Sequence, residues 1–220
     1  MDSRTVKNFQ SVANKVRNED WDYLTILDGP ERTGKSNAGL QIQLILDPDL
    51  ARAVDCADYG KVLSRVAWDF ESMVGIVSSL PPGSADMYDE SGLLGRNASS
   101  KLNRRMVRVM TTIGLKNCAH VWVFPSFHML DPYLRYHRAR TRGYVHTMRG
   151  ERGYITWYAR VVSAWAWSED DSQLWHEMYT GTYGDIKVYS PNHAELWSKY
   201  RERESAVKRL IFETPENGHD

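Results

Sequence analysis

Tyr23-Leu24-Thr25-Ile26-Leu27-Asp28-Gly29-Pro30-Glu31-Arg32-Thr33-Gly34-Lys35-Ser36 is a β-prone run that breaks into a glycine-bounded loop and then meets a helical pattern. From Ser36 to Leu46 the spacing is helical: Leu40 and Leu44 stand four apart, and Ile42, Ile45 and Leu46 fall at i, i+3 and i+4. Two apolar stripes on one short helix predict burial on most sides. Residues 29–36 fit G-x-x-x-x-G-K-[ST] at each fixed position. Gly29 and Gly34 permit backbone angles that a Cβ would block, so the loop can turn its N–H groups inward as a nest for phosphate oxygens. The partial positive end of the following helix adds to that field. Lys35 suits the β- and γ-phosphates as a point charge, and the Ser36 hydroxyl suits Mg²⁺. The expected cofactors are therefore ATP and Mg²⁺. Gly29, Pro30, Glu31, Arg32, Thr33, Gly34, Lys35, Ser36 and Asn37 form the nucleotide-binding set. The motif does not require Arg32, which is either an extra phosphate contact or a surface residue.

Nucleotide hydrolysis also needs a carboxylate beside the metal and a base for water. Asp89-Glu90, at the end of the short extended segment Ser84–Tyr88, supplies both. Asp89 is expected to bind the metal through its water shell, and Glu90 to orient and deprotonate the attacking water. The strand that carries them is expected to lie beside the P-loop strand. An acidic turn is the plain alternative, and Asp86 sits awkwardly in a buried strand. Asp69, after Val66-Ala67-Trp68, competes for the metal role but lacks the adjacent glutamate.

On either side of these motifs, residues 1–20 read as a polar helix or arm. Asp47-Pro48 closes the first helix. Val62–Trp68 holds a strand, and Phe70–Leu80 a helix stopped by Pro81-Pro82-Gly83. Ser99–Ile113 is a helix with Leu102, Met106, Val109 and Met110 inward, and His120–Phe124 is a buried strand. Leu130–Arg142 starts helical. Tyr144–Met148 and Tyr154–Val161 are two strands joined around Gly150-Glu151-Arg152-Gly153. Residues 168–186 read as loop. The last helix runs from about His193 to Phe212, with Asn192 and Glu195 as a capping box. Strands alternating with helices argue for an α/β fold with a mostly parallel central sheet. One domain is expected: an arm at 1–20, an ATPase core at 21–162 and a C-terminal extension at 163–220.

A chain of 220 residues, 42% hydrophobic, suits one substantial core. No stretch approaches the roughly 20 apolar residues of a membrane span, and Met1-Asp2-Ser3-Arg4 does not open a secretory signal. Cys56 and Cys118 lack metal-ligand spacing and are expected to be buried, reduced thiols of a cytoplasmic protein. The net charge of zero hides an asymmetry: from Lys101 to Arg152 there are eleven Lys and Arg against Asp131 and Glu151. Such a block suggests a polyanionic partner, with a solvated basic face as the alternative. Lys101, Arg104, Arg105, Arg108, Arg140 and Arg142 are the expected nucleic-acid contacts. They neutralise phosphates without reading sequence, and Tyr133, Tyr136, Tyr144 and Tyr154 are available to stack on bases.

The order of these parts carries a resemblance. The glycine-lysine loop is followed by Asp89-Glu90-Ser91-Gly92, then by Asn97 and Lys101-Leu102-Asn103-Arg104-Arg105. The strand His120–Ser126 comes next, then Leu130-Asp131 and Leu134-Arg135-Tyr136-His137-Arg138. Over about residues 22–160 this resembles the compact HerA/FtsK-type ATPases of viruses and mobile elements, including Zot-like proteins and viral DNA-packaging ATPases. The resemblance implies a P-loop NTPase of the ASCE, RecA-like kind, ending in a C-terminal hairpin and helix. It also implies a homo-oligomeric ring that moves or packages DNA, in the host cytoplasm if the protein is viral. It places a γ-phosphate sensor at Ser126, where relatives often carry Gln. It offers Arg135 or Arg138 as an arginine acting on a neighbouring subunit, with Arg104, Arg105 and Arg108 as alternatives. Other functions fit the same loop. One is an ATPase that loads or remodels a viral or replication protein partner. Another is a small-molecule P-loop kinase, against which Glu90 counts. The third is a nucleotide-binding scaffold without turnover. From Ser168 onward no chemistry is expected, and Leu196, Trp197, Tyr200, Val207 and Leu210 form an apolar packing stripe.

Overall fold

The computed structural model describes residues 1–89, 100–160 and 175–213. Its frame is a seven-stranded mixed sheet. The strands are β1 (Tyr23–Asp28), β2 (Val66–Ala67), β3 (Ala85–Asp89), β4 (Ala119–Val123), β5 (Ala139–Met148), β6 (Glu151–Arg160) and β7 (Trp175–Thr182). Their order across the sheet is β2-β3-β4-β1-β5-β6-β7. The first five in that order run parallel; β6 runs antiparallel to β5, and β7 antiparallel to β6. The helices are α1 (Ser3–Asn18), α2 (Lys35–Leu46), α3 (Pro48–Asp55), α4 (Tyr59–Leu63), α5 (Phe70–Ser79), α6 (Ser100–Ile113) and α7 (Pro191–Glu213).

The central strands are buried on both faces, and the side-chain period of two divides them between two cores. Leu27, Met87, Val121 and Val123 meet α1, α2, α3 and α7 on one side. Leu24, Ile26, Tyr88 and Trp122 meet α5 and Met110 of α6 on the other. Asp86 is tolerated inside β3 because its register partner on β4 is His120, and Asp86 Oδ1 meets His120 Nδ1 at 2.5 Å with both side chains buried. Among the described residues no helix is long and apolar enough to cross a membrane.

Several sequence expectations shift. Asp47-Pro48 does not simply close a helix. The Asp47 carboxylate accepts the N–H groups of Asp49 and Leu50 and so opens α3, with Pro48 in the first turn where its missing donor is harmless. Asp47 also receives Arg65 at 2.6 Å and the N–H of Ala85 at 3.0 Å, tying α3 to the start of β3. The strand expected within Val62–Trp68 is present but short: it is the two residues of β2, preceded by the end of α4 and a turn at Ser64-Arg65. Leu130–Arg142 is helical only in its first part, through the π-helical turn Leu134–Arg138, and β5 takes over at Ala139. The loop over 168–186 contains β7, which joins the sheet edge. The β5–β6 turn is Arg149-Gly150, both at positive φ, as a two-residue primed hairpin requires. Asn192 does not cap α7. Ser190 does, accepting the His193 N–H at 3.2 Å, while Asn192 donates to the Asp55 carbonyl. Cys118 is buried, with its thiol pushed up to about 11 by desolvation, but Cys56 is exposed.

Candidate functional site

The C-terminal ends of β1, β3 and β4 and the N-terminus of α2 open onto one cleft of about 660 Å³. β1 delivers Gly29 at φ +139°, pressed against β5 so closely that a Cβ would stand 2.1 Å from the Val145 carbonyl oxygen. Pro30, Glu31 and Arg32 bulge outward, with Arg32 in the left-handed region at φ +59°. Thr33 turns in and donates to the Pro30 carbonyl at 2.8 Å. Gly34 caps α2 at φ +95°, with no side-chain cap hydrogen bond among the described residues. The loop thus has a helix N-terminus facing the cleft, as anion binding requires.

Lys35 Nζ donates to the carbonyls of Gly29 and Pro30, each at 2.8 Å. Burial lowers its pKa, and the carboxylates of Asp89, Asp28 and Glu31 oppose that shift. Ser36 shares the cleft with Asp89, and Tyr200 of α7 donates to the Asp89 carboxylate. Desolvation raises the Asp89 pKa against the opposing influence of the Tyr200 and Ser36 hydroxyls and the Lys208 charge, and Glu204 nearby adds to the rise. Tyr200 is in turn held far above its ordinary value by burial and by the Asp89 charge. Asn37 touches the cleft, but its side chain faces the C-terminal segment: it accepts from Gln41 and from the Ile186 N–H and donates to Asp185.

The other predicted site residues fall elsewhere. Glu90 lies outside the described residues. Its neighbour Asp89 reaches the cleft on a strand separated from β1 by β4, not beside it. Asp69 is the N-cap of α5, accepting from Ser72. Ser126 accepts the His128 N–H at 3.3 Å as the cap of a 3-10 turn; from that end of β4 it is Val123 and Pro125 that line the cleft. Arg138 is paired with Asp22, which precedes β1 and so lies at the opposite end of the strand from the P-loop. Arg135 sits over the Tyr136 and Phe127 rings. Of the expected nucleic-acid contacts, Arg142 holds the buried Asp28 carboxylate through two 2.8 Å hydrogen bonds. Arg105 pairs with Glu71, and Arg140 lies over Trp21. Arg104 and Arg108 are exposed on α6, and Lys101 lies on the same helix with its side chain outside the description.

Sequence reasoning missed the residues that close the cleft. Tyr183 donates to the Thr33 carbonyl and packs under Gly34. Arg152 arrives from β6, and Trp197, Arg201, Glu204 and Lys208 come from α7. The spacing of these α7 residues was legible as one helical face, but nothing local says which core that face covers. Tyr200, read as part of an apolar stripe, aims its hydroxyl at Asp89. No protein-family model and no curated protein matches this chain, and its chemistry rests on the residues of the cleft itself.

Proposed function

We propose that this chain is a P-loop ATPase that binds ATP with Mg²⁺ in the α2 cleft, hydrolyses it, and spends the energy on nucleic acid as a homo-oligomer. One observation carries the ATPase reading: the glycine-bounded loop, Lys35, Ser36 and Asp89 converge on one cleft. The donor set suits Mg²⁺. Among the described residues no group of three or more His, Cys, Asp or Glu could cage a metal. A site with one hydroxyl and one carboxylate fits an ion that keeps several waters and takes its remaining ligands from phosphate. Bound there, Mg²⁺ would neutralise phosphate charge.

The chain's own groups supply the rest. The α2 N-terminus and loop N–H groups cradle phosphate oxygens. Lys35 exchanges the carbonyls of Gly29 and Pro30 for the β- and γ-phosphates. Ser36 and Asp89 hold the metal, and Glu90, next along the chain, is the proposed base for water. The placement of β4 between β1 and β3 supports the ASCE, RecA-like reading, because the end of β4 then borders the same cleft as Lys35 and Asp89. With the motif order, it supports kinship with the HerA/FtsK-type ATPases of viruses and mobile elements. The nucleic-acid role is supported by the basic segment and by exposed Arg104 and Arg108 on α6.

A second reading, an ATPase that loads or remodels a protein partner, is favoured by the internal pairing of Arg105, Arg138 and Arg142. The deciding experiment measures ATP hydrolysis with Mg²⁺, with and without single- and double-stranded DNA, beside Lys35→Ala and Glu90→Gln. Turnover lost in both variants and raised by DNA supports the first reading. Turnover indifferent to DNA moves the assignment to a protein substrate, and turnover that survives Lys35→Ala rejects the cleft.

A further inference from the structure

Helix α7 lines the cleft with charge as well as with aromatic rings. Trp197, Arg201, Glu204 and Lys208 recur at i, i+4, i+7 and i+11, a single helical face. Tyr200, four residues before Glu204, fastens that face to Asp89 and stacks on Trp197 with ring centroids 5.1 Å apart. Glu204 is buried at 4% exposure and accepts from Arg201 and, at 2.6 Å, from Lys208. A carboxylate is buried only at high cost unless cations neutralise it. Here two cations share one carboxylate, so the triad keeps one positive charge in excess. The described cleft lining has the same sign of imbalance: Arg32, Lys35, Arg152, Arg201 and Lys208 face only Glu31, Asp89 and Glu204.

The triad also has a definite place along the cleft. Glu204 and Lys208 are electrostatic neighbours of Asp89, at the end where Ser36, Val123 and Pro125 meet. On the P-loop reading above, which this inference presupposes, that end receives the terminal phosphate of a triphosphate. We propose that Arg201 and Lys208 are phosphate-contacting residues supplied by the chain's own α7, resting on Glu204 until a terminal phosphate draws them into the cleft. Arg201 brings a planar fork that matches phosphate oxygens, and Lys208 a flexible point charge. Glu204 holds both within reach without occupying the phosphate position itself. The triad therefore discriminates a nucleoside triphosphate from a diphosphate. It does so with residues of the same subunit, independently of any arginine from a neighbour. Simple helix-surface ion pairs at these spacings would alter stability slightly and leave nucleotide preference untouched.

The test uses the full chain with Mg²⁺ and measures binding of ADP and of a non-hydrolysable ATP analogue by titration calorimetry. Arg201→Ala and Lys208→Met are each expected to weaken the triphosphate about tenfold, the loss of one charge-assisted contact, and to leave ADP affinity within about twofold. Glu204→Gln, which frees both cations, is expected to tighten triphosphate binding severalfold. Equal losses for ADP and the triphosphate, or no loss for either, overturn the inference. So does a Glu204→Gln variant that binds the triphosphate more weakly. If the triphosphate binds and depends on Lys35 but not on Arg201 or Lys208, this inference falls and the P-loop reading stands. If the wild-type chain binds neither nucleotide, or Lys35→Ala binds both unchanged, the two fall together.

Discussion

At the scale of single residues, the cleft is a set of charges held in unfavourable surroundings. Asp89 is 3% exposed, and burial raises its pKa. Its charge therefore costs folding energy at neutral pH that an amide of the same shape does not. Asp89→Asn is expected to raise stability at pH 7 by about 1 kcal/mol, the usual size of a function–stability trade, and to abolish Mg²⁺-dependent turnover. Urea midpoints and an ATPase assay on the same preparation check both halves. Arg142 is the opposite case. Its guanidinium neutralises the buried Asp28 and stacks over Phe127 at 4.6 Å. Arg142→Ala leaves that carboxylate unpaired and is expected to cost about 3–5 kcal/mol, whatever its effect on nucleic acid.

At the scale of elements, backbone geometry decides what the P-loop tolerates. Gly29 combines positive φ with a close approach to the β5 backbone. Gly29→Ala would need both strands to part and is expected to destabilise the fold by at least about 3 kcal/mol, read as a lowered denaturation midpoint. The start of α1 carries a pH-dependent contribution. Asp2 caps the helix through Arg4 and Thr5 and also accepts the Thr182 N–H, fastening α1 to β7. Burial works against ionisation there, but these hydrogen bonds outweigh it, and the Asp2 pKa is lowered. A carboxyl with a depressed folded pKa adds stability above its unfolded value, and that stability is lost as pH falls through the folded one. Asp2→Ala is therefore expected to cost about 1 kcal/mol at pH 7, with wild type and variant converging at pH values below the carboxylate range. Melting curves across that range test it.

At the scale of the whole molecule, the net charge of zero gives way to a pattern in which much of the basic segment is neutralised from within. Arg105, Arg138 and Arg142 have carboxylate partners, while Arg108 is exposed on α6. A nucleic acid that binds should therefore show a modest salt dependence. Arg108→Ala is expected to reduce the slope of log K against log salt by about 1 for the lost phosphate contact. Arg105→Ala is expected to change it less. Filter binding over a salt series measures both, and equal effects would mean that the Arg105–Glu71 pair opens on binding.

Local sequence determined the parts whose cause is local. Glycine at residues 29 and 34, a lysine and serine opening the next helix, and the apolar stripes of α2 are set by steric freedom and periodicity over a few residues, and the structure has each of them in place. The β-prone run Tyr23–Leu27 and the buried strand expected over His120–Phe124 are likewise in place as β1 and β4. Tertiary structure decided what depends on distant partners. The pairing of Asp86 with His120 makes β3 acceptable as a strand. The insertion of β4 between β1 and β3 brings Val123 and Pro125 to the cleft while Ser126 caps a turn. The docking of α7 carries Tyr200, Arg201, Glu204 and Lys208 to a loop more than 160 residues earlier. A helical face is visible in sequence because neighbouring turns create it. What that face meets is settled only when the whole chain closes its core, since burial rewards the sum of contacts and not any one of them.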